Sequence, residues 1–281
     1  MFSLAVKRCL VPRTMTPDAA TALDQYAALA RTGQAMRPYS PKYLVPQPVF
    51  LSHELATLGM SWVSGKPLTN MLRHPAALVR GTTWFAEVGA WLGCFHATGP
   101  ARTAMFESEA RKLNIAELQA SPISNGTFRQ ATTLTASRLP QLSGLEVRTS
   151  WLHGDCKTDN FMIDGQKICV IDVSLKYENA IEYDLAQFLN HLDLQLLSPQ
   201  NIHLRGFRSA FARAFLRGYQ KGGLQISREC MEWVRLWAAL TLWNSTLMGR
   251  PMTGKSWVLN RVFESLVRER CKALTGLPVQ G

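Results

Sequence analysis

Three side chains in the middle of the chain have the chemistry and spacing of a metal-assisted transfer site. Asp155 and Asn160 bracket a short polar loop, and Asp172 follows further along the chain. Carboxylate and carboxamide oxygens suit Mg²⁺, which keeps few protein ligands and takes other oxygens from substrate phosphates. With Asn160 and Asp172 on a metal, Asp155 remains to orient or deprotonate a hydroxyl. Phosphoryl transfer requires this division of labour.

Two short strands are predicted to bring these residues together. Residues 161–163 and 167–173 have strand character, and Asp164-Gly165 between them is typical of a hairpin turn. Asn160 leads directly into the first strand. The hairpin therefore returns Asp172 towards the end of the first strand where Asn160 lies.

The same stretch resembles the aminoglycoside phosphotransferase/choline kinase family, a branch of the protein-kinase-like fold. The family pattern is H-G-D-x-x-x-x-N, then a strand ending in I-D, then Y-D-L-A at a helix start. It stands here as residues 153–160, Ile171-Asp172 and residues 183–186, and its first part also has the spacing of the protein-kinase catalytic loop. The resemblance implies ATP and Mg²⁺ as cofactors. It implies Asp155 as the catalytic base, with Asn160 and Asp172 as the Mg²⁺ ligands.

Three further residues of this stretch receive roles from the resemblance. Lys157 resembles the lysine that many protein kinases place near the γ-phosphate. His153 and Asp184 are implied to support the catalytic loop. A metal-binding role is the alternative for His153, and Asp184 at a helix start interacts at minimum with the helix dipole.

The N-terminal region resembles the nucleotide side of the family. Ala5-Val6-Lys7 is similar to the strand whose lysine contacts the α- and β-phosphates, and ordinary strand-edge lysine is the alternative for Lys7. Residues 60–68 are similar to the hinge that binds adenine, so Met60 and Trp62 are expected to contact the nucleotide.

The N-terminus also departs from the family. Only six residues precede Lys7, and no glycine-rich loop is present. A helix is predicted from an N-cap at Thr16 to about Gly33. It offers Gln25 where the family has a glutamate to pair with the lysine. A misplaced gene start, an incomplete lid over the phosphates and a loss of activity all fit these departures. An active small-molecule kinase and a kinase-like binding protein (pseudokinase) with weak or no turnover both stay open.

The wider pattern predicts an α+β, protein-kinase-like two-lobe fold. Residues 1–63 are expected to form a small, β-rich, incomplete nucleotide-side lobe. Residues 64–281 are expected to form a larger, mainly helical lobe with the catalytic loop and the acceptor site. Helices are predicted at 82–96, 184–197, 204–219, 228–248 and 257–274.

Composition limits the partners. The 281 residues carry a net charge of +11, with the basic surplus in residues 1–100 and 181–281. No nucleic-acid motif accompanies this charge, so we expect no nucleic-acid partner and a hydroxyl substrate that is neutral or anionic. No apolar stretch is long enough for a membrane span. Six scattered cysteines suggest reduced thiols in a cytoplasm.

Two features of the C-terminal region have alternative interpretations. Residues 249–256 match the P-loop pattern G-x-x-x-x-G-K-S. The segment before them is predicted to be helix, whereas a P-loop requires a strand there, so we expect an inter-helix loop. Four tryptophans are candidates either for an acceptor-binding wall or for the core: Trp233, Trp237, Trp243 and Trp257.

Overall fold

The computed structural model describes residues 3–11, 14–100, 102–175, 177–248 and 253–277. It confirms a mixed α+β fold dominated by helices. The strands are β1 Leu4–Arg8, β2 Tyr43–Leu44, β3 Pro48–Ser52, β4 Thr57–Ser61, β5 Lys66–Pro67, β6 Arg102–Met105, β7 Glu146–Trp151, β8 Phe161–Asp164, β9 Lys167–Val170 and β10 Glu178–Ala180. The helices are α1 Ala19–Met36, α2 Leu68–Leu72, α3 Ala77–Ala97, α4 Ser108–Gln119, α5 Gly126–Arg138, α6 Glu182–Leu197, α7 Arg208–Gln220, α8 Arg228–Leu247 and α9 Gly254–Thr275.

The chain divides into two compact units built from separated segments. Unit 1 comprises Met1–Ala101, Ser150–Asn179 and Gly206–Leu224. Unit 2 comprises Arg102–Thr149, Ala180–Arg205 and Gln225–Gly281. The assignment of residues 1–63 to a nucleotide side and 64–281 to an acceptor side remains a prediction.

Unit 1 contains a three-stranded antiparallel sheet in the order β1-β4-β3. Lys7 lies opposite Leu58 in this sheet. The predicted helix after β1 is present, but Thr16 was the wrong cap. The Asp18 side chain accepts a hydrogen bond of 2.9 Å from the Thr21 N–H, and α1 starts only after it.

The predicted hairpin is also in unit 1. Strands β8 and β9 pair antiparallel with Phe161 opposite Val170. Gly165 in the turn has φ +59°, which glycine adopts without strain. β9 pairs in parallel with β2, and β8 pairs antiparallel with β5. The hairpin is thus the centre of a four-stranded sheet, which fixes the chain on both sides of the polar loop.

Helices α3 and α7 pack closely through glycines. A Cβ atom at Gly89 would collide with the backbone oxygen of Phe215, and one at Gly218 would collide with that of Ala86. The two backbones therefore approach to a distance that only glycine permits, and large apolar side chains such as Phe85 fill the space on either side.

Unit 2 is mainly helical, and two of the four tryptophans belong to its core. Trp233 and Trp243 are fully buried. Their indole N–H groups donate to the Thr135 carbonyl at 2.9 Å and to Asn260 Oδ1 at 3.0 Å. Core packing is therefore the correct interpretation for both. Trp257 lies on the surface, 54% exposed.

The P-loop-like stretch lies between two helices. Residues 249–252 fall outside the described residues, but α8 precedes them as a helix, not a strand. Thr253 is the N-cap of α9: its hydroxyl accepts from the Ser256 N–H at 3.3 Å, and the Ser256 hydroxyl accepts from the Thr253 N–H at 2.6 Å. The described end of this stretch is thus the cap and first turn of a helix, and the predicted inter-helix loop otherwise lies outside the described residues.

No helix in the part of the chain that the structure describes is long and apolar enough to cross a membrane.

Candidate active site

His153 anchors the polar loop between β7 and β8. Its ring is fully buried. Nδ1 accepts from the Asp155 N–H at 3.3 Å, so Nε2 is the nitrogen that donates to the Ile171 carbonyl, at 3.0 Å. Gly154 between them has φ +81°. The imidazole thus connects the loop to Ile171, which lies between the end of β9 and Asp172.

Asp155 is surrounded by hydrogen-bond donors. Its Oδ2 lies 2.6 Å from Lys157 Nζ and 3.1 Å from Asn160 Nδ2. Partial burial alone would raise the pKa of the Asp155 carboxyl, but the hydrogen bonds from Lys157 and Asn160 outweigh it and lower the pKa. The carboxylate is therefore ionised at neutral pH. Its side chain is 46% exposed, so a substrate hydroxyl can reach it.

Asn160 is buried, and hydrogen bonds to Asp155 orient its side-chain amide. Its amide nitrogen also donates to the Asp155 backbone carbonyl at 2.8 Å. Because both N–H bonds of the amide serve Asp155, the side-chain oxygen is the atom left to bind a cation. The Ile171 N–H donates to the Asn160 carbonyl at 3.0 Å. This bond places Asn160 beside the residue that precedes Asp172.

Asp172 stands just beyond β9 in an unusual backbone conformation. Its φ is +57°, in the left-handed region that non-glycine residues seldom occupy. Its Oδ1 lies 2.6 Å from Lys7 Nζ. The structure therefore brings Lys7 from β1 to the metal-competent carboxylate, across a sequence separation of 165 residues.

Gln25 of α1 has an amide where the family has a carboxylate, and its partner is not Lys7. The Gln25 side-chain oxygen lies 3.9 Å from the Cys9 thiol instead. The glutamine at the position of the family glutamate is thus part of the packing between α1 and the end of β1. The pairing of Lys7 with Asp172 was missed by the sequence analysis.

Met60 and Trp62 lie at the end of β4. Met60 pairs with Ala5 in the sheet. The Trp62 ring is 63% exposed, and its backbone N–H donates to the Ser3 carbonyl at 3.0 Å. The chain itself therefore uses one of the backbone donors in the predicted hinge segment.

Asp184 belongs to unit 2. It lies in the first turn of α6 and is almost fully buried. In the first turn, the positive end of the helix dipole stabilises a carboxylate. Its neighbour Glu182 is fully buried as well, a feature that the sequence analysis did not single out.

The two donors Asn160 and Asp172 suit Mg²⁺ better than they suit a metal ion that takes all of its ligands from protein side chains. No group of three His, Cys, Asp or Glu side chains among the described residues forms a metal site. Mg²⁺ is commonly held by one or two protein oxygens with phosphate and water oxygens. The partly exposed Asp172 carboxylate and the oriented Asn160 oxygen fit that requirement.

Comparisons with known proteins identify the family of the chain. The model of the phosphotransferase enzyme family (APH) matches residues 7–237. A search of curated proteins found no match.

Solved structures of small-molecule kinases share the fold. A glucosamine kinase in complex with glucosamine, ADP and inorganic phosphate has a TM-score of 0.62 and 16% identity, over 98% of this chain and 76% of that one. A choline/ethanolamine kinase family protein from Mesorhizobium loti has a TM-score of 0.59 and 13% identity, over 98% and 83%. An amicoumacin kinase in complex with AMP-PNP and Ca²⁺ has a TM-score of 0.61 and 14% identity, over 95% and 81%.

The family model covers the loop of Asp155, the hairpin, Asp172 and the N-terminal Lys7. It extends well beyond half of the chain, and the resemblance seen in the sequence is thereby confirmed. The chain belongs to the phosphotransferase enzyme family, with a protein-kinase-like fold.

Proposed function

We propose that this phosphotransferase moves the γ-phosphoryl group of ATP to a hydroxyl of a neutral or anionic small molecule. The observation that carries the proposal is the environment of Asp155. Lys157 and Asn160 hold its carboxylate ionised within reach of solvent, and Asp172 follows the adjoining hairpin. These groups supply a base and a metal-binding pair in one unit.

Asp155 acts as the residue that orients the acceptor hydroxyl and receives its proton. The lowered pKa of Asp155 keeps the carboxylate deprotonated across the neutral range. Positioning contributes most to phosphoryl transfer, because the loose transition state requires little covalent chemistry from the protein. Lys157, whose ammonium contacts Asp155, is proposed to interact with the transferred phosphoryl group.

Asn160 and Asp172 would hold Mg²⁺, which neutralises phosphate charge when bound. Lys7 is the cation now paired with Asp172, and it is the candidate for the nucleotide phosphates. Met60 and Trp62 are proposed to contact adenine. His153 and Asp184 are proposed to support the loop. None of the six cysteines, all of which lie in the described residues, forms a disulfide, which favours a reducing compartment such as the cytoplasm.

One observation favours the alternative, a kinase-like binding protein. Lys7 pairs with Asp172, not with a carboxylate of α1. A nucleotide must therefore compete for a lysine that is already neutralised, and weak nucleotide binding would follow.

The test is ADP release by the full chain with ATP, Mg²⁺ and a panel of hydroxyl compounds. The panel includes neutral sugars, sugar acids, choline and an aminoglycoside. Asp155→Asn should lower turnover by at least about a hundredfold, in the range of general-base catalysis. Asp164→Asn is the matched control, because that exposed carboxylate is on the same hairpin and bonds Ser64 at 2.6 Å.

The binding-protein alternative predicts a different pattern. ATP with Mg²⁺ would raise the melting temperature of the wild type, yet neither wild type nor Asp155→Asn would release ADP. If ATP with Mg²⁺ neither turns over nor stabilises the protein at millimolar concentration, the kinase function is refuted.

A further inference from the structure

One cluster in unit 2 combines a cation with two aromatic rings. The guanidinium carbon of Arg111, on α4, lies 4.6 Å from the ring centroid of Tyr183 and 5.5 Å from that of Trp237. The two rings, on α6 and α8, are perpendicular, with centroids 5.6 Å apart. We call these three residues the Arg111 cage. Three helices therefore converge on one guanidinium.

The Arg111 cage has hydrogen-bond donors without acceptors. The Arg111 Nε and the Trp237 Nε1 are each shielded from solvent and have no hydrogen-bond partner, whereas the Tyr183 hydroxyl interacts with the Arg111 side chain. Buried polar groups are nearly always hydrogen-bonded, because leaving one unpaired costs about 1–3 kcal/mol. Two unpaired donors in one cluster indicate that an acceptor group is missing from it.

No carboxylate of the described residues neutralises Arg111 through an ion pair. Glu107 is the nearby exposed acid whose charge acts on Tyr183. Glu182 is fully buried, and one of its oxygens is used by the Ser227 N–H at 2.8 Å. The other basic residue of unit 2 that lies over an aromatic ring among the described residues behaves differently. Arg261 lies over Trp257 at 5.5 Å, but it also pairs with Glu264 at 3.2 Å.

The cage is also closed to an ammonium ligand. Aromatic cages bind quaternary ammonium groups through the faces of their rings. Here the Arg111 guanidinium already lies over both rings, so a cationic ligand would meet a resident positive charge. An oxyanion instead meets a planar guanidinium, which suits carboxylate and phosphate geometry.

We propose that the Arg111 cage binds the carboxylate or phosphate group of an anionic small molecule. This inference goes beyond the proposed function, because the cage lies wholly within unit 2. Arg111 supplies the charge, and Tyr183 and Trp237 supply neutral donors. Burial raises the pKa of Tyr183, so its hydroxyl stays protonated as a donor at neutral pH.

The experiment measures binding by calorimetry to the full chain without nucleotide. Glycerate and glycerol form a matched pair, since they differ by a carboxylate in place of a hydroxymethyl group. Inorganic phosphate separates phosphate from carboxylate recognition, and choline tests for an ammonium site. Wild type should bind glycerate or phosphate, with no binding of glycerol or choline at the same concentration.

Variants then test the role of Arg111. Arg111→Met should weaken binding of the anion by about ten- to a hundredfold, the loss expected for a charged hydrogen bond. Arg261→Met is the control for removal of an arginine from an aromatic face, and it should bind as wild type does. Tyr183→Phe removes a single hydroxyl and should weaken binding less. If Arg111→Met does not fold, Arg111→Lys and Tyr183→Phe carry the test.

Two results would overturn the proposal: wild type binds neither anion, or the cage variants bind as tightly as wild type. The outcome is separable from the kinase activity because no ATP is present. Anion binding that needs Arg111 but no ADP release would retain the cage and reject the proposed function. Phosphorylation of choline or glucosamine without anion binding would do the reverse.

Discussion

Replacing Glu182 by glutamine tests how the core of unit 2 accommodates a buried acid. Glu182 is fully buried at the start of α6. One carboxyl oxygen accepts from the Ser227 N–H at the N-terminus of α8, and the other, Oε2, has no partner. Burial raises the pKa of Glu182 from 4.5 to about 7, although backbone hydrogen bonds partly oppose it.

The magnitude follows from that pKa. A carboxyl that binds its proton more tightly in the folded state stabilises the fold fully below its unfolded pKa. This contribution is lost as the pH rises through the folded pKa. The difference between 4.5 and about 7 corresponds to roughly 3 kcal/mol, at about 1.4 kcal/mol per pKa unit. Glutamine keeps the acceptor for Ser227 and cannot ionise. It therefore imitates the protonated acid at every pH.

The assay is urea unfolding of wild type and Glu182→Gln at pH 5 and pH 8, followed by tryptophan fluorescence. At pH 8 the variant should have the larger free energy of unfolding, by up to roughly 3 kcal/mol, and at pH 5 the two should be nearly equal. Glu264→Gln provides a control of opposite sign. Hydrogen bonds and charges from Arg261 and Arg268 lower the pKa of Glu264, so glutamine there should lose stability at pH 8. An advantage for Glu182→Gln that is the same at both pH values would refute the reasoning.

Three further predictions concern the loop, the core and the helix contact. Lys157→Met removes the strongest hydrogen bond that lowers the pKa of Asp155, so the acidic limb of the pH–activity profile should move to higher pH. An unmoved limb would exclude Asp155 as the titrating base. Asp193→Asn leaves two buried guanidinium groups, Arg235 and Arg270, without the carboxylate that they share at 2.7 and 3.2 Å, and urea unfolding should show a loss of about 3–5 kcal/mol. A loss below about 1 kcal/mol would show that water replaces the carboxylate. Gly89→Ala should destabilise unit 1 by at least about 1–3 kcal/mol by overpacking, seen as a lower melting temperature. An unchanged melting temperature would mean that α3 and α7 can separate freely.

The local part of the active site was predictable from the sequence, because neighbouring residues determine it. Asp164-Gly165 fixes the hairpin turn, and the turn places Asn160 and Asp172 at one end. The helix cap shows the limit of local reasoning. Thr16 is a fair cap by residue type, as Asp18 is a good one, but the Thr16 carbonyl accepts from the Val11 N–H at 2.8 Å. The chain is still extended there and turns two residues later.

Long-range pairings were not predictable. Nothing in the residues around Lys7 points to Asp172, because their contact depends on how β1 and the hairpin come together in unit 1. The tryptophans illustrate the same limit. Helical periodicity places Trp233 and Trp237 close together on α8, yet one is core and the other belongs to the Arg111 cage. Only the packing of α4 and α6 distinguishes them.

The close contact of α3 with α7 also orders events during synthesis. α3 leaves the ribosome more than a hundred residues before α7, and the surface around Gly89 has no partner until Gly218 has been made. Contacts so distant in sequence form slowly, because a long loop must close first. The nascent chain therefore exposes the apolar side chains of α3, including Phe85, for as long as translation of the intervening segment lasts. That interval is the one in which a chaperone that recognises apolar segments has access to this helix.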